Sequence, residues 1–169
     1  MITPFLASIV LGQSRSPVGK TAPEFVGKDW VNSEKPIKMS DRTGKVTLVY
    51  FWTFACYNCK NNLPAVQRVT LAFEKQGVQM ISIHSPELAE ERDTKNVRKA
   101  IEKYGIKYPV LIDGEMSNWK AWGTGMWPTI FVIDKKNKIR GGWEGELNYN
   151  GQKGEEKISG LIRQLLKED

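Results

Sequence analysis

The feature that most restricts the fold is the apolar run Val46 to Trp52, which leads directly into a pair of cysteines at the head of an amphipathic stretch. The run is β-branched and aromatic, of strand length and almost without alternation. It therefore reads as a strand buried on both faces. Such a strand belongs in a sheet covered by helices on its two sides. After Thr53-Phe54-Ala55 come Cys56-Tyr57-Asn58-Cys59, and Leu63, Val66, Val69 and Phe73 then mark the buried stripe of a helix from about Cys59 to Gln76. Gly77 ends that helix.

The rest of the chain continues the alternation. Val78 to His84 is a second central strand. Val97, Ala100, Ile101 and Tyr104 fall at helical spacing and stop at Gly105. Tyr108 to Ile112 is a third strand, Asn118 to Trp122 a short helix, and Thr129 to Ile133 a fourth strand. A polar turn over Asp134 to Asn137 leads into a fifth strand, Ile139 to Trp143, and Ile158, Leu161, Ile162 and Leu165 mark a closing helix. Ahead of all these, Phe25 to Met39 reads as extended segments compatible with a hairpin. The pattern predicts an α/β fold with a mixed central sheet flanked by helices and an N-terminal extended segment. All of it fits one domain over residues 16–169.

Residues 1–15 stand apart. Pro4 to Gly12 is a short apolar run followed by Gln13-Ser14-Arg15, as in the core and cleavage zone of a secretory signal, although no Lys or Arg precedes Arg15. Export is the expectation, with a cytoplasmic location as the alternative.

Composition removes several classes of function. The formal charge is +6, but the basic residues are interleaved with acids and form no arginine-rich stripe, so no nucleic-acid partner is expected. No apolar run approaches the roughly 20 residues of a membrane span. The chain has 2 cysteines and 1 histidine, too few for a disulfide-stapled scaffold or a closed four-ligand zinc site. No cofactor and no metal are expected.

The placement of the cysteines carries the chemistry. Cys56 falls where a helix begins, and free backbone N–H groups and the macrodipole favour a thiolate there. Cys59 lies one turn inside, at a spacing that a disulfide can close. Cys56 is expected to be the exposed nucleophile and Cys59 the buried resolving thiol. A static disulfide is the bland alternative, but so short a loop adds little stability.

Further residues carry a resemblance. Pro64 lies five residues after Cys59, Trp52 four residues before Cys56, and Trp127-Pro128-Thr129 opens the fourth strand. This set resembles the thioredoxin superfamily, which implies a cis-proline at Pro128 facing the cysteines and a substrate strand paired beside it. The long connection from Cys59 to Pro128 leaves room for an additional βα unit, as in the TlpA/ResA-like branch. Phe51-Trp52-Thr53-Phe54 with Cys56-Tyr57-Asn58-Cys59 is similar to the thioredoxin-like domain of DipZ-type cytochrome c biogenesis proteins. So are Ile83-His84-Ser85-Pro86-Glu87, the block Tyr104-Gly105-Ile106-Lys107-Tyr108-Pro109-Val110, and Gly145-Glu146-Leu147-Asn148-Tyr149.

The resemblance implies a periplasmic or otherwise extracytoplasmic thiol–disulfide oxidoreductase, working as a reductase. Its partners would be disulfide-containing or thiol proteins, and a separate membrane or soluble electron donor would re-reduce it. A monomer is expected. Trp127, Pro128 and Thr129 would bind substrate, while Trp52, Tyr57 and Asn58 would tune the thiols.

Two departures stand out. Tyr50 occupies the place of a buried acid in the first central strand, and Asn62 that of a Glu after the second cysteine. Glu87 is the candidate substitute, or else a surface-loop acid. His84 either tunes a thiolate or simply ends its strand. Two rival chemistries remain. Thr53, three residues before Cys56, partly fits a peroxiredoxin-like peroxide reductase, but Val49 stands where that site needs proline. Cys56, Cys59 and His84 could serve a non-enzymatic copper-binding chaperone.

Overall fold

The computed structural model describes residues 17–169, so the signal-like segment 1–15 lies outside the described residues. In chain order the elements are β1 (Trp30–Val31), β2 (Thr47–Trp52), α1 (Tyr57–Glu74), β3 (Gln79–His84), α2 (Thr94–Lys103), β4 (Val110–Ile112), α3 (Ser117–Ala121), β5 (Thr129–Ile133), β6 (Ile139–Glu144) and α4 (Gly154–Lys167). The strands form one six-stranded sheet in the order β1-β4-β3-β2-β5-β6. β2, β3 and β4 run parallel, joined by helical crossovers, while β5, β6 and β1 pair antiparallel. This is a thioredoxin-like mixed sheet flanked by helices.

β2 is buried along its whole length, and its alternate residues feed two cores. Leu48, Tyr50 and Trp52 join Val66 and Val69 of α1, Ile101 of α2 and Ile162 of α4 on one face. Val49 and Phe51 join Trp30, Trp122 and Phe131 on the other. Each such side chain contributes about 1.5–3 kcal/mol by leaving water. The central strand is therefore over-determined, and its C-terminal end is a firm base for a site.

The stretch Phe25 to Met39 is not a hairpin. Only Trp30–Val31 is a strand, and it pairs with β4. Side chains from elsewhere satisfy this lead-in instead. Val26 exchanges two hydrogen bonds with the Asn118 carboxamide, at 2.9 and 2.7 Å, and the Glu24 carboxylate accepts from Met39 N and Ser40 N. β4 begins at Val110 rather than Tyr108, since Pro109 has no N–H to give a ladder and only its carbonyl accepts, from Ser82 N. α1 starts at Tyr57, two residues before the predicted start, and continues through Pro64.

β5 and β6 approach closely. A Cβ at Gly142 would lie 2.4 Å from the Ile130 carbonyl oxygen, whereas one at Gly141 would meet a Leu161 methyl at 2.8 Å.

Candidate active site

The parallel strands β2 and β3 end side by side, Trp52 opposite His84. Two connections leave this edge: Thr53–Cys56 into α1, and Ser85–Asp93 towards α2. Ser85 N donates to Trp52 O at 3.1 Å, so the two begin joined.

Cys56 is the N-cap of α1, and its Sγ accepts the Cys59 N–H at 3.2 Å. A polar N-cap takes up one of the donors that a helix start leaves unpaired. Here that acceptor is a sulfur, and the same interaction favours its anion. Cys56 is half-buried and Cys59 fully buried; both are free thiols. The Cys56 thiol is lowered to about 7, chiefly by the hydrogen bond from the Cys59 thiol, with help from the backbone N–H groups of Cys59 and Asn58. Burial and the charge of Glu87 oppose this. Cys59 is pushed far up, first by burial, then by its bond to Cys56 and the negative charges of Cys56 and Glu91. At neutral pH the Cys56 sulfur therefore ionises far more readily than its neighbour, which stays a thiol.

The acid beneath the site is Glu91. Its side chain is inaccessible to solvent. One carboxylate oxygen accepts from Thr53 Oγ1 and from Ala55 N at 2.7 Å, the other from Glu87 N and Leu88 N, both at 2.8 Å. These donors outweigh burial and hold the carboxyl below the usual carboxylate range. Glu87, the acid expected here from the sequence, is exposed and reaches Cys56 only through its charge. Nothing in Ala89-Glu90-Glu91-Arg92-Asp93 separates Glu91 from its charged neighbours, so sequence reasoning passed over it.

His84 is buried at the end of β3, and burial lowers it to about 4, so the ring is neutral. Its Nε2 accepts the Phe54 N–H at 3.3 Å. The ring lies edge-on to Trp52, with centroids 5.1 Å apart, and stacks on Phe54 at 5.5 Å. It is therefore a support for the cysteine loop. Among the described residues no group of three His, Cys, Asp or Glu side chains is placed to hold a metal, which removes the geometric basis of the copper reading. Thr53, which the peroxide reading needs beside Cys56, donates to Glu91 instead.

The Trp127–Pro128 bond is cis. Trp127 stacks on Trp119 with centroids 4.0 Å apart, and its Nε1 donates to Ser85 O at 3.0 Å, which fixes the indole at the edge that carries the cysteines. Pro128 O accepts from Gly145 N at 2.7 Å, and Thr129 pairs with Phe51 of β2. Tyr57 and Asn58 are exposed, Tyr57 at 71%. Trp52 is core. Asn62 is buried and its Oδ1 accepts from Leu147 N at 2.9 Å, so it ties down the segment after β6. Tyr50 is fully buried, and its hydroxyl is raised well above its ordinary value by burial and by Cys59 beside it. The structure thus joins Glu91 to the loop that carries Cys56, through Thr53 and Ala55. It places Trp127 on the same edge and leaves Tyr57 and Asn58 in solvent.

The AhpC/TSA family matches residues 18–141. Protein DipZ of Mycobacterium tuberculosis is 34% identical over 149 residues, covering 86% of this chain and 21% of DipZ. The chain thus spans about a fifth of the length of the DipZ proteins it matches. The thiol-disulfide oxidoreductase ResA of Geobacillus thermodenitrificans is 33% identical over 125 residues, covering 73% of this chain and 67% of ResA. A crystal structure of a thioredoxin-like superfamily protein superposes with a TM-score of 0.79 at 24% identity, covering 88% of this chain and 97% of that one, a likeness of fold. The cysteine pair, its geometry and these relatives fit thiol–disulfide oxidoreductase chemistry.

Proposed function

The chain belongs to the AhpC/TSA family and carries the fold and dithiol of a thiol–disulfide oxidoreductase, and we propose that it works as a reductase of protein disulfides in an extracytoplasmic compartment. The observation that carries this reading is the placement of two free thiols on one turn, Cys56 half-buried at the N-cap of α1 and accepting the Cys59 N–H, Cys59 buried behind it. An attacking thiol serves best with its pKa near ambient pH, and a resolving thiol is best kept protonated until it is needed.

The cycle follows from the positions. The Cys56 thiolate attacks one sulfur of a substrate disulfide. A Cys56–substrate bond forms, the substrate S–S bond breaks, and the first substrate sulfur leaves as a thiolate. Cys59 then attacks the Cys56 sulfur, and its proton passes to a departing substrate sulfur. The Cys56–substrate bond breaks, and the products are the Cys56–Cys59 disulfide and the reduced substrate, one of its sulfurs carrying the Cys59 proton and the other a thiolate that takes its proton from water, two electrons having moved to the substrate. The substrate backbone lies beside Trp127, Pro128 and Thr129. Tyr57, Asn58 and the half-buried indole of Trp127 offer it a mixed polar and aromatic rim. A separate membrane or soluble donor restores the dithiol. The signal-like residues 1–15 and the resemblance to DipZ-type domains support the compartment.

The test is a pair of measurements. Incubated with an oxidised protein substrate, the Cys59→Ser variant should accumulate a mixed disulfide through Cys56; no trapped species with any disulfide substrate would overturn the assignment of roles. Equilibration of the wild-type protein against dithiothreitol should give a potential near thioredoxin's, about −270 mV, whereas a value near −120 mV would mean an oxidant.

A further inference from the structure

We propose that Glu91 is the positioning residue of the dithiol: its buried carboxylate fixes the loop that delivers Cys56 and adds to the burial and the Cys56 bond that keep charge off Cys59. The inference rests on the thiol-exchange reading only for its biological use.

The first half is geometric. The loop Thr53–Ala55 belongs to neither β2 nor α1, so its backbone donors need partners from outside. Ala55 N and Thr53 Oγ1 both donate to the same Glu91 oxygen. Phe54 N finds His84. The other Glu91 oxygen holds Glu87 N and Leu88 N, which lie in the neighbouring connection. One carboxylate therefore clamps both connections to each other, and Cys56 is the next residue after the clamp.

The second half is electrostatic. A buried carboxylate normally finds a cation. Among the described residues Glu91 takes part in no ion pair, and Arg92, its neighbour, donates instead to Gly114 O. Four neutral donors stabilise the charge without cancelling it. Its field acts in a poorly screened corner that also holds Cys59. The other titratable groups facing this corner are Tyr50 of β2, His84 of β3, Tyr104 at the end of α2, Tyr108 and Asp113 on either side of β4, Glu87, and Cys56 itself. None of these supplies a positive charge at neutral pH. A negative charge on Cys59, which burial and the bond to Cys56 already oppose, is thus disfavoured further. Loss of the Glu91 charge should stabilise the reduced, ionised pair and make the protein a weaker reductant.

The experiment reads Cys59 without any substrate, so it stands apart from a failure of the exchange reading. In a Cys56→Ser background, the Cβ carbon shift of Cys59 is followed by NMR against pH, with and without Glu91→Gln. The Cys59 midpoint should fall measurably in Glu91→Gln. It should stay high in Glu91→Asp, which keeps the charge. An unchanged midpoint in folded Glu91→Gln, or an equal fall in Glu91→Asp, would overturn the proposal. If Glu91→Gln does not fold, the wild-type protein decides. The Glu91 carboxyl carbon must titrate below the ordinary carboxylate range, and a carboxyl still protonated at neutral pH would end the argument.

Discussion

Two connections leave one edge of the sheet together, and they divide the work. The connection after β2 carries the reacting sulfur, stands partly in solvent and has few side-chain bonds of its own. The connection after β3 carries no reacting atom, yet it supplies Glu91, and His84 stands at its base. One presents chemistry and the other holds it in place. The difference teaches that a reactive thiol can sit on a short, irregular loop, provided a neighbouring segment satisfies that loop's donors from below.

That division can be broken experimentally. The largest effect should come from the presenting side. Cys56→Ser should reduce disulfide exchange to the uncatalysed background while leaving the thermal midpoint nearly in place. A variant that still turned over would move the nucleophile elsewhere. Alkylation of wild-type Cys56 by iodoacetamide should rise with pH around a midpoint near 7, following its thiolate. A midpoint near that of an ordinary thiol would mean that neither the Cys59 thiol nor the helix start acts on it.

The holding side should show itself in acid. His84 is lowered from 6.5 to about 4, so protons bind the unfolded chain more readily than the folded one. Its contribution is complete above about pH 6.5 and is lost as pH falls towards 4, amounting to about 3 kcal/mol. Glu91, also lowered, adds to the loss below the ordinary carboxylate range. Urea melts at a series of pH values should show this limb, and His84→Gln should flatten its upper part. A limb unchanged in that variant would assign the acid loss to other groups.

Smaller effects sharpen the boundary. Asn62→Ala strands the buried Leu147 N–H and should cost about 1–3 kcal/mol in denaturant melts, with no change in the Cys56 alkylation midpoint. Tyr57→Ser, at an exposed position between the cysteines, should change stability by less than about 0.5 kcal/mol and raise the KM for protein substrates. If Tyr57→Ser destabilised as much as Asn62→Ala, presenting and holding residues would no longer be separable.

The same division explains what could be read in advance. Cys56 and Cys59 were legible because a buried strand, a cysteine spacing and a helical stripe are all short-range patterns. β2 to β6 were legible for the same reason, to within a residue or two at their ends. Glu91 was not, because its burial depends on donors contributed by Thr53 and Ala55, more than thirty residues away. A charged run carries no mark of which member turns inward. The lead-in failed likewise. Phe25 to Met39 has strand-like composition, but Asn118 and Glu24 supply the partners a hairpin would have given. Asn62 and Tyr50 sit where the resemblance led to the expectation of acids, and only packing reveals that one is a tie to Leu147 and the other a core phenol.

The approach of β5 to β6 has a consequence for how this chain can vary. At Gly142 the obstacle to any side chain is the Ile130 carbonyl, part of the backbone that leads out of Pro128 and Thr129, and it cannot swing aside. At Gly141 the obstacle is a Leu161 methyl, which can. In a saturation library selected for function, position 142 should return glycine alone, while its neighbour admits alanine. Drift along β6 is thereby confined by β5 at the end that follows the cis peptide Trp127–Pro128.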